Sequence, residues 1–169
     1  MKSFTPSKSI ISSYELCLEN IPRNYSAEDI ETFSLFCEKV KDKPDFSYAA
    51  GLYLSALINS SEEKFFRIHA NAQIHLLGYQ NICKDITIFG DAGNRVAQEM
   101  VFGKIHVLGN SGDLCGFSMK GGELHIDGYA GKETGFSMHG GSIFLKIEPY
   151  SLGYHYFGNV YLNGKLLFK

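Results

Sequence analysis

The chain has 169 residues, a length that usually corresponds to one domain able to bury a real core without disulfide support. Sixteen basic and 18 acidic residues give a net charge of −2, which excludes a broad electrostatic footprint for nucleic acid. Of its 18 glycines only Gly51 precedes Ile74, so composition divides the chain into a segment 1–73 and a glycine-rich segment 74–169.

The opening MKSFTPSKSIISSYELC has a basic start but no apolar run of signal-peptide length, and no stretch approaches about 18 consecutive apolar residues. The expectation is a soluble, unexported, cytoplasmic protein with neither membrane nor nucleic acid as partner. Cys17, Cys37, Cys83 and Cys115 lie 20, 46 and 32 positions apart, a spacing that fits neither a zinc motif nor a compact disulfide framework. Buried free thiols in a reducing compartment are expected.

A first helix is predicted over Ser12 to Asn20. A second starts at Ser26, a capping residue with Asp29 in the third helical position, and carries Ile30, Phe33, Phe36, Cys37 and Val40 on one stripe. Its stop is Asp42-Lys43-Pro44. Asp45 caps a third helix running to about Asn59, with Tyr48, Ala49, Leu52, Tyr53, Ala56 and Leu57 at helical spacing. Short helices are marginal in water alone, so they are expected to cover the glycine-rich part, at its end or along a side.

From Ile86 onward the sequence repeats. Three consecutive units of 19 residues begin at Ile86, Ile105 and Leu124, and the opening of the unit recurs at Ile74, Ile143 and Val160. Each unit starts with a period-2 apolar pair (Ile86/Ile88, Ile105/Val107, Leu124/Ile126, Ile143/Leu145, Val160/Leu162), the pattern of a strand with one buried face. Glycines follow in phase: Gly90 and Gly93, Gly109 and Gly112, Gly128 and Gly131, then Gly121-Gly122 and Gly140-Gly141 beside the Met100, Met119 and Met138 column. Regularly spaced glycine marks a turn repeated in space, where the backbone takes positive φ or another backbone comes close. Two strands and two turns per unit predict one coil of a right-handed, single-stranded parallel β-helix of about five coils, mainly β within an α+β chain, capped by the N-terminal helices.

The residues Gly109–Gly112, Gly116, Met119–Gly122, Ile126–Gly131, Gly135 and Met138–Ile143 form a pattern that resembles the GxGxG repeat domain at the C-terminus of the glutamate synthase large subunit. The pattern is also similar to that of a formylmethanofuran dehydrogenase subunit. The resemblance covers about Ile74 to Lys169 and implies a structural β-helix that packs against catalytic domains. The chain departs from both families: it begins Met1-Lys2-Ser3 where an amidotransferase half exposes a Cys nucleophile, it has no iron–sulfur cysteine cluster, and it has no room for a flavin barrel. What the resemblance brings is a scaffold without a reaction or a cofactor.

Stacking turns sequence columns into ladders. His106 and His125 share an outward column, where two imidazoles about 5 Å apart either hold a transition metal or form part of a polar–aromatic ladder. His75 leads that column and Thr87 interrupts it. Leu77, Phe89, Leu108 and Phe144 form an outward apolar strip, to be covered by the N-terminal helices, by a second copy of the chain or by a partner protein. Asp91 stacks with Asn110 and Tyr129, and Asp113 with Asn94 and Lys132, so the repeat places no acid–base pair of carboxylates for sugar chemistry. The strings around Gly90-Asp91-Ala92-Gly93 lack the helix a phosphate loop requires. Tyr150, Tyr154, His155, Tyr156 and Phe157 make an aromatic patch suited to packing the last coil or to stacking on a sugar or base. The expected function is a non-catalytic scaffold, with an accessory subunit of a redox or amidotransfer complex and a sugar-active β-helix as alternatives.

Overall fold

A computed structural model describes residues 6–21, 25–37, 39, 46–71, 73–154 and 157–168. Three helices, α1 (Pro6–Asn20), α2 (Ala27–Cys37) and α3 (Phe46–Ser60), precede seven strands: β1 (Phe65–His69), β2 (Lys84–Phe89), β3 (Gly103–Val107), β4 (Glu123–Ile126), β5 (His139–Leu145), β6 (Phe157–Leu162) and β7 (Lys165–Phe168). The strands form one sheet in sequence order, β1 to β6 parallel and β7 antiparallel. The chain is a parallel β-solenoid of about five turns with a helical N-terminal part.

The period-2 pairs face inward as their spacing requires. Phe66, Ile86, Ile105, Leu124, Ile143 and Val160 stand in register in one buried column, and Ile68, Ile88, Val107, Ile126 and Leu145 in a second. Met100, Met119 and Met138 are fully buried opposite them. The first inward pair is Phe66/Ile68 of β1, upstream of Ile74, so the opening of the repeat at Ile74 corrects to a turn segment rather than a strand. With that shift Leu77 leaves the outward strip: it is 1% exposed, inside the stack.

The second strand expected in each coil is also replaced. Residues 95–99, 114–118 and 133–137 alternate in the sign of φ: Arg95, Leu114 and Glu133, then Ala97, Gly116 and Gly135, then Glu99, Ser118 and Ser137 are all left-handed, with φ between 53° and 73°. This path still supports an inter-coil ladder. The amides of Arg95 and Leu114 donate to the carbonyls of Asp113 and Lys132 one coil ahead, both at 2.8 Å, while those of Gly116 and Gly135 donate back to Val96 and Cys115, also at 2.8 Å. A left-handed non-glycine residue costs ~1–3 kcal/mol. Hydrogen bonds to the neighbouring coils, with further turn bonds inside each coil such as Gln98 N–H to Arg95 O at 3.2 Å, offset that cost.

Two other glycine columns serve close approach. In the column of Gly90, Gly109 and Gly128 a Cβ on Gly109 would lie 2.4 Å from Asp91 Oδ1, and in that of Gly93, Gly112 and Gly131 one on Gly112 would lie 2.2 Å from Asn94 Oδ1.

Both ends of the stack are closed. At the N-terminal end Ser47, Gly51, Ser55 and Asn59, one stripe of α3 at four-residue spacing, lies on the first turn segment. Ser47 Oγ donates to Gln73 O at 2.6 Å, Ser55 Oγ accepts the Tyr79 amide at 3.1 Å, and Asn59 Nδ2 donates to Tyr79 O and Gln80 O at 3.2 Å. Gly51 passes so close to His75 O that a Cβ there would sit 1.6 Å from it. Helix α2 covers the edge of β1, where Ser34 Oγ accepts the His69 amide at 3.0 Å. The helices therefore cap the end of the stack.

Helix α2 starts at the expected box, with the Ser26 amide donating to Asp29 Oδ2 at 3.0 Å and the Asp29 amide to Ser26 Oγ at 3.1 Å. Its stripe holds for Ile30 and Cys37, but Phe36 is 51% exposed; in α3 Tyr48 and Ala49 also face outward. Val40, the stop at 42–44 and the Asp45 cap lie outside the described residues. At the C-terminal end Asn163 and Gly164 (φ 48° and 78°) make the two-residue turn that sends β7 back along β6. A register shift between Val160 and Tyr161 leaves Leu167 as an extra residue in β7, a bulge of the kind that blunts an edge strand.

Candidate functional site

The outer face of the sheet gathers the candidate groups. Arg67, Thr87, His106, His125, Phe144 and Tyr161 are in-register neighbours along one column, so the residue leading it is Arg67 of β1 and not His75. His75 lies on the turn segment, where its Nδ1 accepts the Asn94 amide at 2.8 Å and burial holds its pKa below the ordinary value.

The His106 and His125 rings are 5.9 Å apart and edge to face at 64°. Their Nε2 atoms serve different carboxylates, His106 meeting Asp127 Oδ1 and His125 meeting Glu123 Oε2, each at 2.9 Å. Among the described residues no group of three His, Cys, Asp or Glu converges as a metal set. Asp127 also pairs with Lys146 at 2.9 Å. Partial burial raises the Asp127 pKa, but hydrogen bonds from His106 and Lys146 outweigh it and hold the carboxyl below the usual range.

Further along the column His125, Phe144 and Tyr161 stack nearly parallel, with centroids 4.4 and 5.0 Å apart and interplanar angles of 16° and 7°. In the neighbouring column Phe89 lies under His69 at 5.2 Å with the Arg67 guanidinium 5.3 Å from its ring, while Leu108 is 40% exposed. The apolar strip thus consists of Phe89, Leu108 and Phe144. The helices, packed at the end of the stack, leave Leu108 open.

The in-phase polar residues have a structural task that spacing alone does not announce. Asp91 Oδ1 accepts the Asn110 amide at 2.8 Å and Asn110 Oδ1 accepts the Tyr129 amide at 2.8 Å. Asn94 Oδ1 accepts the Asp113 amide at 2.9 Å, and Asp113 Oδ1 accepts the Lys132 amide at 2.7 Å. Each side chain pins the corner of the next coil, and the glycines beside it leave room for it. The signal that could have found them is the recurrence of Asx residues at 19 next to glycine.

The four cysteines are free, as expected, but only Cys37 and Cys115 are buried; Cys83 is exposed. Burial pushes the Cys37 and Cys115 thiols up. On the last coil Tyr150 and Phe157 are 75% and 69% exposed, whereas His155 and Tyr156 lie outside the described residues.

These features define the class: a parallel β-solenoid with capped ends, internal Asx ladders and an outward column of imidazole and aromatic rings. In comparisons with known proteins, no family model, no curated protein and no solved structure matches the chain. Among the described residues no helix is long and apolar enough to cross a membrane.

Proposed function

We propose that the protein is a non-catalytic β-solenoid scaffold of the cytoplasm, akin to GxGxG repeat domains, whose outer sheet face docks a second copy of the chain or a partner protein. The observation that carries this reading is how the polar groups are used. Asp91 and Asp113 accept backbone amides, and Asp127 and Glu123 hold His106 and His125, while Leu108 stays exposed beside Phe89 and Phe144. These carboxylates and imidazoles are engaged with the backbone or with one another, and the apolar groups beside them are presented outward. The period of 19 and the in-phase glycines support the kinship to GxGxG domains.

Changing Leu108→Asp and Phe144→Asp together tests the docking face. Both residues lie on the outer face, so circular dichroism is expected to show a folded variant. Light scattering is expected to show the parent above monomer mass, alone or with a protein co-purified in fixed stoichiometry from its native host, and the variant at monomer mass. A parent that is monomeric alone and brings no stoichiometric protein with it overturns the reading.

A further inference from the structure

The register of β1, β2 and β3 builds a trough on the outer face. Phe65, Asp85 and Lys104 stand in one outward column and Arg67, Thr87 and His106 in the next. The middle row carries the short side chains Asp85 and Thr87 between rows of long ones, so a depression of about 250 Å³ opens over them. That size lies below the ~300–1,000 Å³ typical of drug-sized ligand pockets, which suits a small molecule and not a macromolecular segment.

Cations stand on both walls. On one wall the Arg67 guanidinium is held over the Phe89 ring at 5.3 Å and has its Nε 3.4 Å from Glu31 of α2. That contact uses Nε, and a guanidinium carries further donors on its two terminal nitrogens. On the opposite wall Lys104 reaches Glu123 only at 3.9 Å, the outer limit of an ion pair. On the floor Asp85 is offset by Lys64 at 3.7 Å, and Thr87 contributes a hydroxyl donor. His106 stands at the rim with its Nε2 fixed by Asp127.

We infer that this trough binds a small molecule through a phosphate or carboxylate group, clamped between Arg67 and Lys104 with the Thr87 hydroxyl donating from the floor. Opposed cations with a hydroxyl between them match an oxyanion, which accepts charge-assisted hydrogen bonds from several directions at once. Anion binding here does not depend on whether the same face also docks a protein.

Amide-resolved NMR titration of the intact chain tests it, with sodium phosphate and sodium succinate as separate probes at a constant ionic strength of about 0.15 M. Saturable shifts centred on residues 67, 87 and 104 are expected for at least one probe. Saturation by phosphate alone assigns the site to phosphate groups, and saturation by succinate alone to carboxylates. Arg67→Gln and Lys104→Gln are each expected to weaken the binding about tenfold, the loss of one charge-assisted contact. Both side chains are about half exposed or more, and an unchanged melting midpoint reports that the variants are folded. If neither anion saturates the site, or if both variants bind as tightly as the parent, the inference is overturned.

Discussion

Asn94 shows how one side chain serves the solenoid as a piece of backbone. Its Oδ1 accepts the Asp113 amide, its own amide donates to His75 Nδ1, and Gly112 leaves space for its side chain. The column His75, Asn94, Asp113 is therefore one chain of acceptors passed from coil to coil, and its first member is an imidazole, whose accepting nitrogen depends on its protonation state. Only a neutral imidazole can accept at Nδ1, and burial holds the folded pKa of His75 below its unfolded value of about 6.5. The unfolded chain then takes up this proton first. The stability contributed by the shift is complete above the unfolded pKa and is lost as pH falls from there toward the folded one. His75→Asn installs the side chain that Asn94 uses in the next coil, keeping an acceptor while removing the titration. The variant is expected to stay within ~1 kcal/mol of the parent at pH 7 and to lose less stability on going to about pH 5, measured by urea denaturation. Because the other histidines are common to both proteins, an identical pH slope would exclude His75 as the titrating acceptor.

At the level of elements, α3 acts as the coil missing before the first one. In the stack, carbonyls such as Asn94 O and Gln98 O accept amides from the preceding coil; the matching groups of the first coil, His75 O and Tyr79 O, meet Gly51 and Asn59 instead. Asn59 also meets the Tyr14 hydroxyl of α1 at 2.6 Å and accepts the Ile82 amide at 3.3 Å. Asn59→Leu retains side-chain volume and leaves these groups unpaired, so a loss of about 2 kcal/mol is expected, with faster hydrogen exchange at residues 79–82. Ser47→Ala, at the more exposed end of the stripe, is expected to cost under ~1 kcal/mol. If the two variants were equally stable, α3 would be a lid resting on the stack and not a substitute for a coil.

This stripe is hidden in the sequence because Ser55 and Asn59 look like gaps among apolar residues, although they point at the most demanding surface. The helices themselves and the inward pairs of β2 to β6 are legible, since Ser26 with Ile30 and Ile105 with Val107 carry periodicities that one buried face imposes. Strand β1 escapes detection because Phe66 and Ile68 lack the glycines that mark later units. The left-handed turn segments pass for strands because apolar spacing around Met119 reports burial and says nothing about the sign of φ. At the candidate site, the His106/His125 column is legible from the repeat, whereas the trough requires β1 to place Arg67 beside Thr87.

Across the whole molecule each coil buries its faces only against its neighbours, so stability is a sum of contacts along one axis with separate terms for the two ends. The end terms differ in kind. The N-terminal cap supplies helices and side-chain partners for the first coil, whereas the C-terminal end is the two-residue turn at Asn163-Gly164 and the bulged strand β7, where Leu166 is 41% exposed. Leu124 sits fully buried in β4 with an inward neighbour on either side, Ile105 and Ile143. Leu124→Ala removes packing from two interfaces at once and is expected to cost ~2–5 kcal/mol, whereas Leu166→Ala is expected to cost under ~1 kcal/mol. Native-state hydrogen exchange separates one cooperative stack from independent ends: slowest exchange is expected at the amides of β3, β4 and β5, and Leu124→Ala should accelerate all three together. Leu166→Ala should speed exchange in β6 and β7 alone. Acceleration confined to β4 in the Leu124 variant would mean that the coils are stable singly, which contradicts a core made only between neighbours.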